Sequence, residues 1–312
     1  MRRMERREIW RRLAALHREM AELFESLARA SGAGDRAGGE PPPPAVDPPP
    51  REEGADGDFE RRAVACLESL GITVIGEPQR WPAEVGFERL ARLIANKYDN
   101  VVELVRRIRH AQATRGTVRL DLRDQRQDVI ADVTLLCDLA HKAGLLTDYC
   151  YRRTPYRRLS AVPSPTPLAI RFFGGGWLEL HVRRTLLDLL EARGAAVDRG
   201  AVFGARVRLP DGDEFELDAF AVVGDTRIWI EAKSGHDFVP EKYARIRRRL
   251  CRPSDHALLL WADHRGDDAI AAVRGAVADM TLCGLADFGA RLRAILACRE
   301  EDGGGDARPG PR

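Results

Sequence analysis

Residues 216 to 235, ELDAFAVVGDTRIWIEAKSG, hold two alternating apolar runs on either side of Gly224-Asp225. This dipeptide constrains the fold more than any other feature, because a two-residue Gly-Asp turn closes a hairpin and fixes the register of both strands. Val223 then faces Thr226, Asp218 faces Glu231, and Glu216 faces Lys233. Alternation puts the four charged residues on one face with Phe220 and Trp229. Leu217, Ala219, Ala221, Val223, Ile228, Ile230 and Ala232 fall on the other face, which is expected to be core.

Like charges directly opposed on a sheet are destabilising. A divalent cation between Asp218 and Glu231 would turn that repulsion into coordination, and the oxygen ligands suit Mg²⁺ or Mn²⁺. Lys233, facing the same way, could orient or deprotonate a water and stabilise charge developing on a phosphate. Glu216 is expected to pair with Lys233 rather than to bind metal. A third carboxylate, Glu179, opens a helical stripe continued by Val182, Leu186 and Leu190. It is either a further metal ligand or an ordinary acid at a helix N-terminus. Gly174-Gly175-Gly176, just ahead of it, would let a phosphate backbone come close.

Around this hairpin the last segment, about 168–299, gives the order αβββαβ: a helix from Trp177, strands near 201–209, 214–223 and 226–234, a helix from Val239 to Leu250, and the strand HALLLWA. FGARLRAILA is expected to close it as a helix. Residues 59–167 read as mostly helical, with helices over Phe59–Leu70, Phe87–Ala95 and Gln127–Ala143, and one capped by Asp99 or Asn100. A two-stranded ribbon turned at Thr154-Pro155 follows, a winged-helix-like order. Residues 31–58 and 300–312 are so rich in Gly, Pro and charge that they are expected to be disordered. Ile9, Leu13, Leu16, Met20, Leu23 and Leu27 recur at heptad steps in residues 1–30. They predict either a short coiled coil pairing two chains into a homodimer or an amphipathic helix lying on its own body.

These residues resemble the PD-(D/E)xK nucleases of the restriction-endonuclease-like fold, a family whose core has the order αβββαβ. Asp218 matches the acid of the second strand, Glu231-Ala232-Lys233 the E-x-K of the third, and Glu179 the glutamate of the first helix. More closely, GGWLE followed by ELDAFAVVGDTRIWIEAKSG is similar to the nuclease half of the CRISPR ancillary nucleases that carry a cyclic-oligoadenylate sensor. The likeness covers roughly residues 172–260. It implies an α/β fold, Mg²⁺ or Mn²⁺ held by Glu179, Asp218 and Glu231, catalysis with Lys233, and a role in antiviral defence. Leu217 stands where the motif's name has proline. No Rossmann-like sensor is recognisable upstream.

Two basic clusters are candidates for binding nucleic acid, DNA before RNA. Arg152, Arg153, Arg157 and Arg158 alternate with Tyr149, Tyr151 and Tyr156 in the ribbon, where Arg would pair with phosphate and Tyr would stack on bases. A charge-protected edge ribbon is the other reading. Lys242, Arg245 and Arg248 lie on the helix after E-x-K. With 50 Lys and Arg against 48 Asp and Glu, attraction to nucleic acid has to come from such clusters. Six scattered cysteines suggest neither disulfides nor structural zinc, and the histidines show no metal spacing. No apolar signal core or membrane span is evident, so a cytoplasmic protein without membrane contact is expected. Three functions are consistent with these features: a metal-dependent endonuclease, a catalytically silent scaffold on a nuclease-like fold, and a Holliday-junction-type resolvase.

Overall fold

The computed structural model describes residues 53–76, 81–82, 85–154, 156–192, 198–235, 238–263 and, with gaps, 271–297. The heptad segment, most of the expected spacer and the tail lie outside the described residues. The first described helix, α1 (Glu53–Ser69), begins inside the stretch expected to be disordered up to residue 58. That stretch is acidic as well as glycine-rich, and a helix N-terminus favours negative charge.

Next come β1 (Thr73–Val74), α2 (Val85–Asn96), α3 (Tyr98–Thr114), β2 (Val118–Asp121), α4 (Gln127–Lys142), β3 (Leu146–Arg152) and β4 (Arg158–Pro163). A short helix α5 (Pro167–Arg171) and a glycine turn (Phe172–Gly176) lead into α6 (Trp177–Glu191). Then follow β5 (Arg199–Arg208), β6 (Glu214–Val223), β7 (Thr226–Lys233), α7 (Pro240–Leu250), β8 (His256–Trp261), β9 (Thr281–Cys283) and α8 (Leu285–Ala297). The fold is α/β, and the expected αβββαβ order is present as α6-β5-β6-β7-α7-β8.

Among the described residues β1, β5, β6, β7, β8 and β9 form one sheet in that spatial order. β5, β6 and β7 are an antiparallel meander, whereas β7-β8 and β8-β9 are parallel. α6 and α8 bury Trp177, Val182, Leu186, Phe288 and Leu292 on one side, against Ala219, Ala221, Ile228, Ile230 and Leu258. α1 and α7 bury Ala63, Leu67, Tyr243 and Ile246 on the other, against Phe220, Trp229, Leu259 and Trp261. The result is a sheet covered by helices on both faces, as parallel pairing requires.

The ribbon differs from expectation. β2 joins β4, making a three-stranded sheet in the order β2-β4-β3. The helix expected to be capped by Asp99 or Asn100 instead takes in both, with Lys97 at its N-cap. The amide of Asn100 donates to Asp132 Oδ2 at 2.7 Å. The boundary expected at 167/168 does not divide two cores. Phe87, Ile94, Ile108 and Leu136 belong to the same cluster as Trp177 and Leu258, and β1 pairs with β5 in the large sheet.

α1 crosses β5 where Gly200 leaves no room: a Cβ there would sit 2.5 Å from the Phe59 carbonyl oxygen and 3.0 Å from the Ala63 nitrogen. Both are backbone atoms of a helix and cannot yield without shifting it. Gly200→Ala is therefore expected to cost about 1–3 kcal/mol through overpacking, read as a lower urea midpoint with an unchanged slope.

Candidate active site

The β6-β7 ladder runs in the register set by the Gly-Asp turn, from Val223 opposite Thr226 to Ala219 opposite Ile230. There it stops. Hydrogen-bonded pairs alternate along an antiparallel ladder, so Ala232 should next exchange bonds with Leu217. Its N–H instead donates to Asp218 Oδ2 at 2.8 Å. The strands part at Asp218, and the carboxylate takes the place of a backbone carbonyl.

Both β5 and β6 change faces at this level. Ala219 and its β5 partner Phe203 belong with one core cluster, whereas Leu217 and its partner Ala205 belong to the other. Gly204, between the two β5 residues, has φ 57, a left-handed conformation that glycine takes without strain. Leu217, expected beside Ala219, therefore lies on the opposite face. The expected pairing of Asp218 directly with Glu231 is likewise not a rung of the ladder, although both carboxylates stand at the opening.

β7 is held there from its other side. Glu231 pairs with Leu259 and Lys233 with Trp261 in the parallel ladder to β8. Glu231 is 2% exposed, its Oε1 accepts from Lys233 Nζ at 2.6 Å, and its Oε2 is buried with no hydrogen-bond partner. Burial and then the nearby Asp218 push the Glu231 carboxyl up to about 8, more than the bond from Lys233 can offset. Asp218 is pushed up to about 6, chiefly by burial. Burial works against the Lys233 ammonium, yet Glu231 and Asp218 outweigh it and hold this group above its usual range. Glu216 does not pair with Lys233 as expected. It is exposed, opposite Arg206 on β5.

Glu179 is in the first turn of α6, near enough for its charge to contribute to the rise at Asp218. It is engaged by Arg171, whose Nη2 donates to Glu179 Oε2 at 3.2 Å while the guanidinium stacks 4.1 Å from the Trp81 ring centre. Among the described residues no three His, Cys, Asp or Glu side chains are gathered closely enough to hold an ion. Asp218 and Glu231 stand where the β6-β7 ladder ends, and Glu179, the third residue of the expected set, is bonded to Arg171. The glycine run is only partly open. Gly174 has free space, but a Cβ on Gly176 would run into the Trp81 ring.

The wall beyond Lys233 comes from α7. Tyr243 stands 5.6 Å (ring centre) from Lys233 Nζ, and burial pushes its phenol up to about 12. Lys242 is close enough to favour ionisation of Glu231. Arg245 is tied to Asp213 at 2.5 Å and Arg249 to Asp211 at 2.9 Å, so they fasten α7 to the β5-β6 turn, whereas Arg248 is exposed. In the ribbon, Arg152, Arg153, Arg157 and Arg158 are exposed, and Arg152 pairs across the strands with Arg158. Tyr149 and Tyr151 pack against the core and Tyr149 bonds to the Thr134 carbonyl, leaving Tyr156 as the exposed ring, beneath Arg158 at 4.9 Å.

Three residues near the site carried no sequence signal: Arg171, Trp81 and Arg109. Arg109, exposed on α3, reaches to 4.0 Å from where a side chain on Gly235 would begin. One turn earlier Arg106 bonds to Asp263, just past the end of β8. Neither contact follows from residue spacing, because α3 and β7 meet only in the fold.

No family model matches the chain, and no curated protein does. Among solved structures it is similar to protein VC1899 from Vibrio cholerae, with a TM-score of 0.52 and 19% identity over 78% of this chain and 62% of that one. At that identity the likeness is one of fold. The structure of Can2 from Sulfobacillus thermosulfidooxidans in complex with cyclic tetra-adenylate matches more loosely, with a TM-score of 0.47 and 14% identity over 75% of this chain and 59% of that one. The chain therefore spans less than two thirds of each of these proteins. No helix among the described residues is long and apolar enough to cross a membrane.

The two raised carboxyls give a pH dependence of definite sign. Between about pH 4, where unfolded carboxyls ionise, and about 8 for Glu231, the folded chain retains protons that the unfolded chain has lost. Stability from this source is fully present below that window and is lost as pH rises through it. Asp218→Asn keeps an oxygen acceptor for Ala232 and removes one of the repelling charges. It should raise the stability of the metal-free chain at pH 8 by about 1 kcal/mol, with a smaller gain at pH 4, as read from melting curves in chelator.

Proposed function

We propose that the chain is a divalent-metal-dependent nuclease that hydrolyses phosphodiester bonds in nucleic acid, with DNA as the first substrate to test. The observation that carries this reading is the buried Glu231 Oε2, which has no hydrogen-bond partner, at the strand end where the Asp218 carboxylate and the Lys233 ammonium also stand. A buried acceptor without a donor costs stability unless something of opposite charge meets it. Two desolvated carboxylates fit Mg²⁺ or Mn²⁺, both of which prefer oxygen ligands. Bound by Asp218 and Glu231, with Glu179 as a third ligand, such an ion would supply Lewis acidity at the scissile phosphate.

The chain's own residues do the rest. Lys233 Nζ, held by Glu231, keeps its proton, so its role is to place positive charge against the phosphate oxygens rather than to take a proton from water. Tyr243, packed on Trp229, covers this ammonium on the α7 side, which strengthens its pull on a phosphate. Lys242 and Arg109 flank the opening and would hold the strand to either side. Defence against invading nucleic acid is the setting that the family resemblance suggests for this reading.

A silent scaffold has one observation in its favour, the occupation of Glu179 by Arg171. Plasmid, single-stranded DNA, RNA and branched DNA, each incubated with Mg²⁺ or Mn²⁺, separate the readings. Cleavage is expected, and Lys233→Ala should reduce its rate by roughly a hundredfold or more. Cleavage unchanged in Lys233→Ala would overturn the role given to that residue. Preference for the branched substrate would indicate a resolvase. No cleavage of any substrate with either ion would leave the scaffold.

A further inference from the structure

Arg171 ends α5, and the glycine turn brings it beside the first turn of α6. Within that turn Gly175 takes φ 149, a conformation closed to other residues without strain. The guanidinium is held on two sides, by the face of Trp81 and by Glu179 Oε2. Trp81 has little freedom to withdraw, because its ring is wedged on Gly176 and lies edge-on to Phe172. The same turn reaches the end of β7, where a Cβ on Gly175 would lie 3.5 Å from Ser234 Oγ. Glu179 therefore follows a turn that reaches the end of β7, and it is bonded there to Arg171.

We infer that Arg171 is a positioning residue gated by substrate: it holds Glu179 back in the free chain and gives it up when a nucleic-acid phosphate takes the guanidinium. The inference rests on the nuclease reading above. A guanidinium offers parallel N–H donors that match phosphate as well as carboxylate, and the stack on Trp81 fixes the plane in which they point. A phosphate that takes those donors leaves Glu179 free to turn towards Asp218 and Glu231, an arrangement that would repel itself until a cation joined it. Binding of nucleic acid and binding of the ion are thereby coupled, each tightening the other. The complete ligand set forms only when there is a phosphodiester to act on.

The test uses the full chain and two measurements that require no turnover. Calorimetric titration with Mn²⁺ in the absence of nucleic acid should show Arg171→Ala binding the ion roughly fivefold tighter than wild type. That gain should vanish in a Glu179→Gln background. In chelator, Arg171→Ala should bind a short oligodeoxynucleotide several-fold more weakly, with a salt dependence shallower by about one charge. Arg171→Lys keeps the charge but neither the planar fork nor its stack on Trp81, and should fall between the two, which separates the gate from a simple loss of folding. Mn²⁺ affinity that is unchanged or weaker in both Arg171 variants overturns the gate, as does a gain that persists with Glu179→Gln. If that happens while wild type binds Mn²⁺ and Asp218→Asn does not, the nuclease reading survives. No Mn²⁺ uptake by Arg171→Ala, nor by wild type with the oligodeoxynucleotide present, overturns both.

Discussion

β7 has to carry two charged residues into the middle of a sheet, and it can do so because β6 leaves it at Asp218. Had the hairpin continued, Asp218 and Glu231 would stand across a closed ladder, two like charges at the separation where they cost most. Instead the Asp218 carboxylate accepts the Ala232 N–H, which answers one buried polar group with another and opens a gap. β7 does not fray, because the parallel ladder to β8 continues through Lys233 and the Lys233 carbonyl accepts from Ala262 at 2.9 Å. Trp261 then secures the following loop through the Gly235 carbonyl at 2.9 Å. The chemistry-bearing residues sit on a strand rigid on one side and unpaired on the other.

Such an opening collects groups from every layer around it. Glu179 and Arg171 come from the α6 face, Tyr243 and Lys242 from the α7 face, and Arg109 from α3 in the helical segment. That segment shares the core of the sheet, and its Arg106 pairs with Asp263 past the end of β8. The helical segment thus reaches the ends of β7 and β8. The ribbon Arg residues are on a separate sheet, and no contact ties them to the carboxylates.

The opening holds Glu179, Asp218 and Glu231 against Lys233, and Arg171 supplies the compensating charge to Glu179. Burial raises both strand carboxyls, because a charge in low dielectric is costly unless paired. That same cost would strengthen the attraction for a divalent ion.

The αβββαβ order, the turn at Gly224-Asp225 and the candidates Asp218, Glu231, Lys233 and Glu179 were legible in the residues alone, because alternation, helical spacing and turn chemistry are local and recur within a few residues. Val118, Leu120 and Leu122 alternate in the same way around β2, and that signal was legible too, though brief. β1 and β9, at two and three residues, are too short to show any period. Where the ladder stops, the change of face at Leu217, the exposure of Glu216 and the approach of Arg171, Trp81 and Arg109 come from the folded chain. Each of these depends on contacts between elements far apart in the chain. A residue's own neighbours in sequence contain no record of which backbone will approach it, how much room Gly176 leaves for a ring, or which charge burial will make too costly to keep.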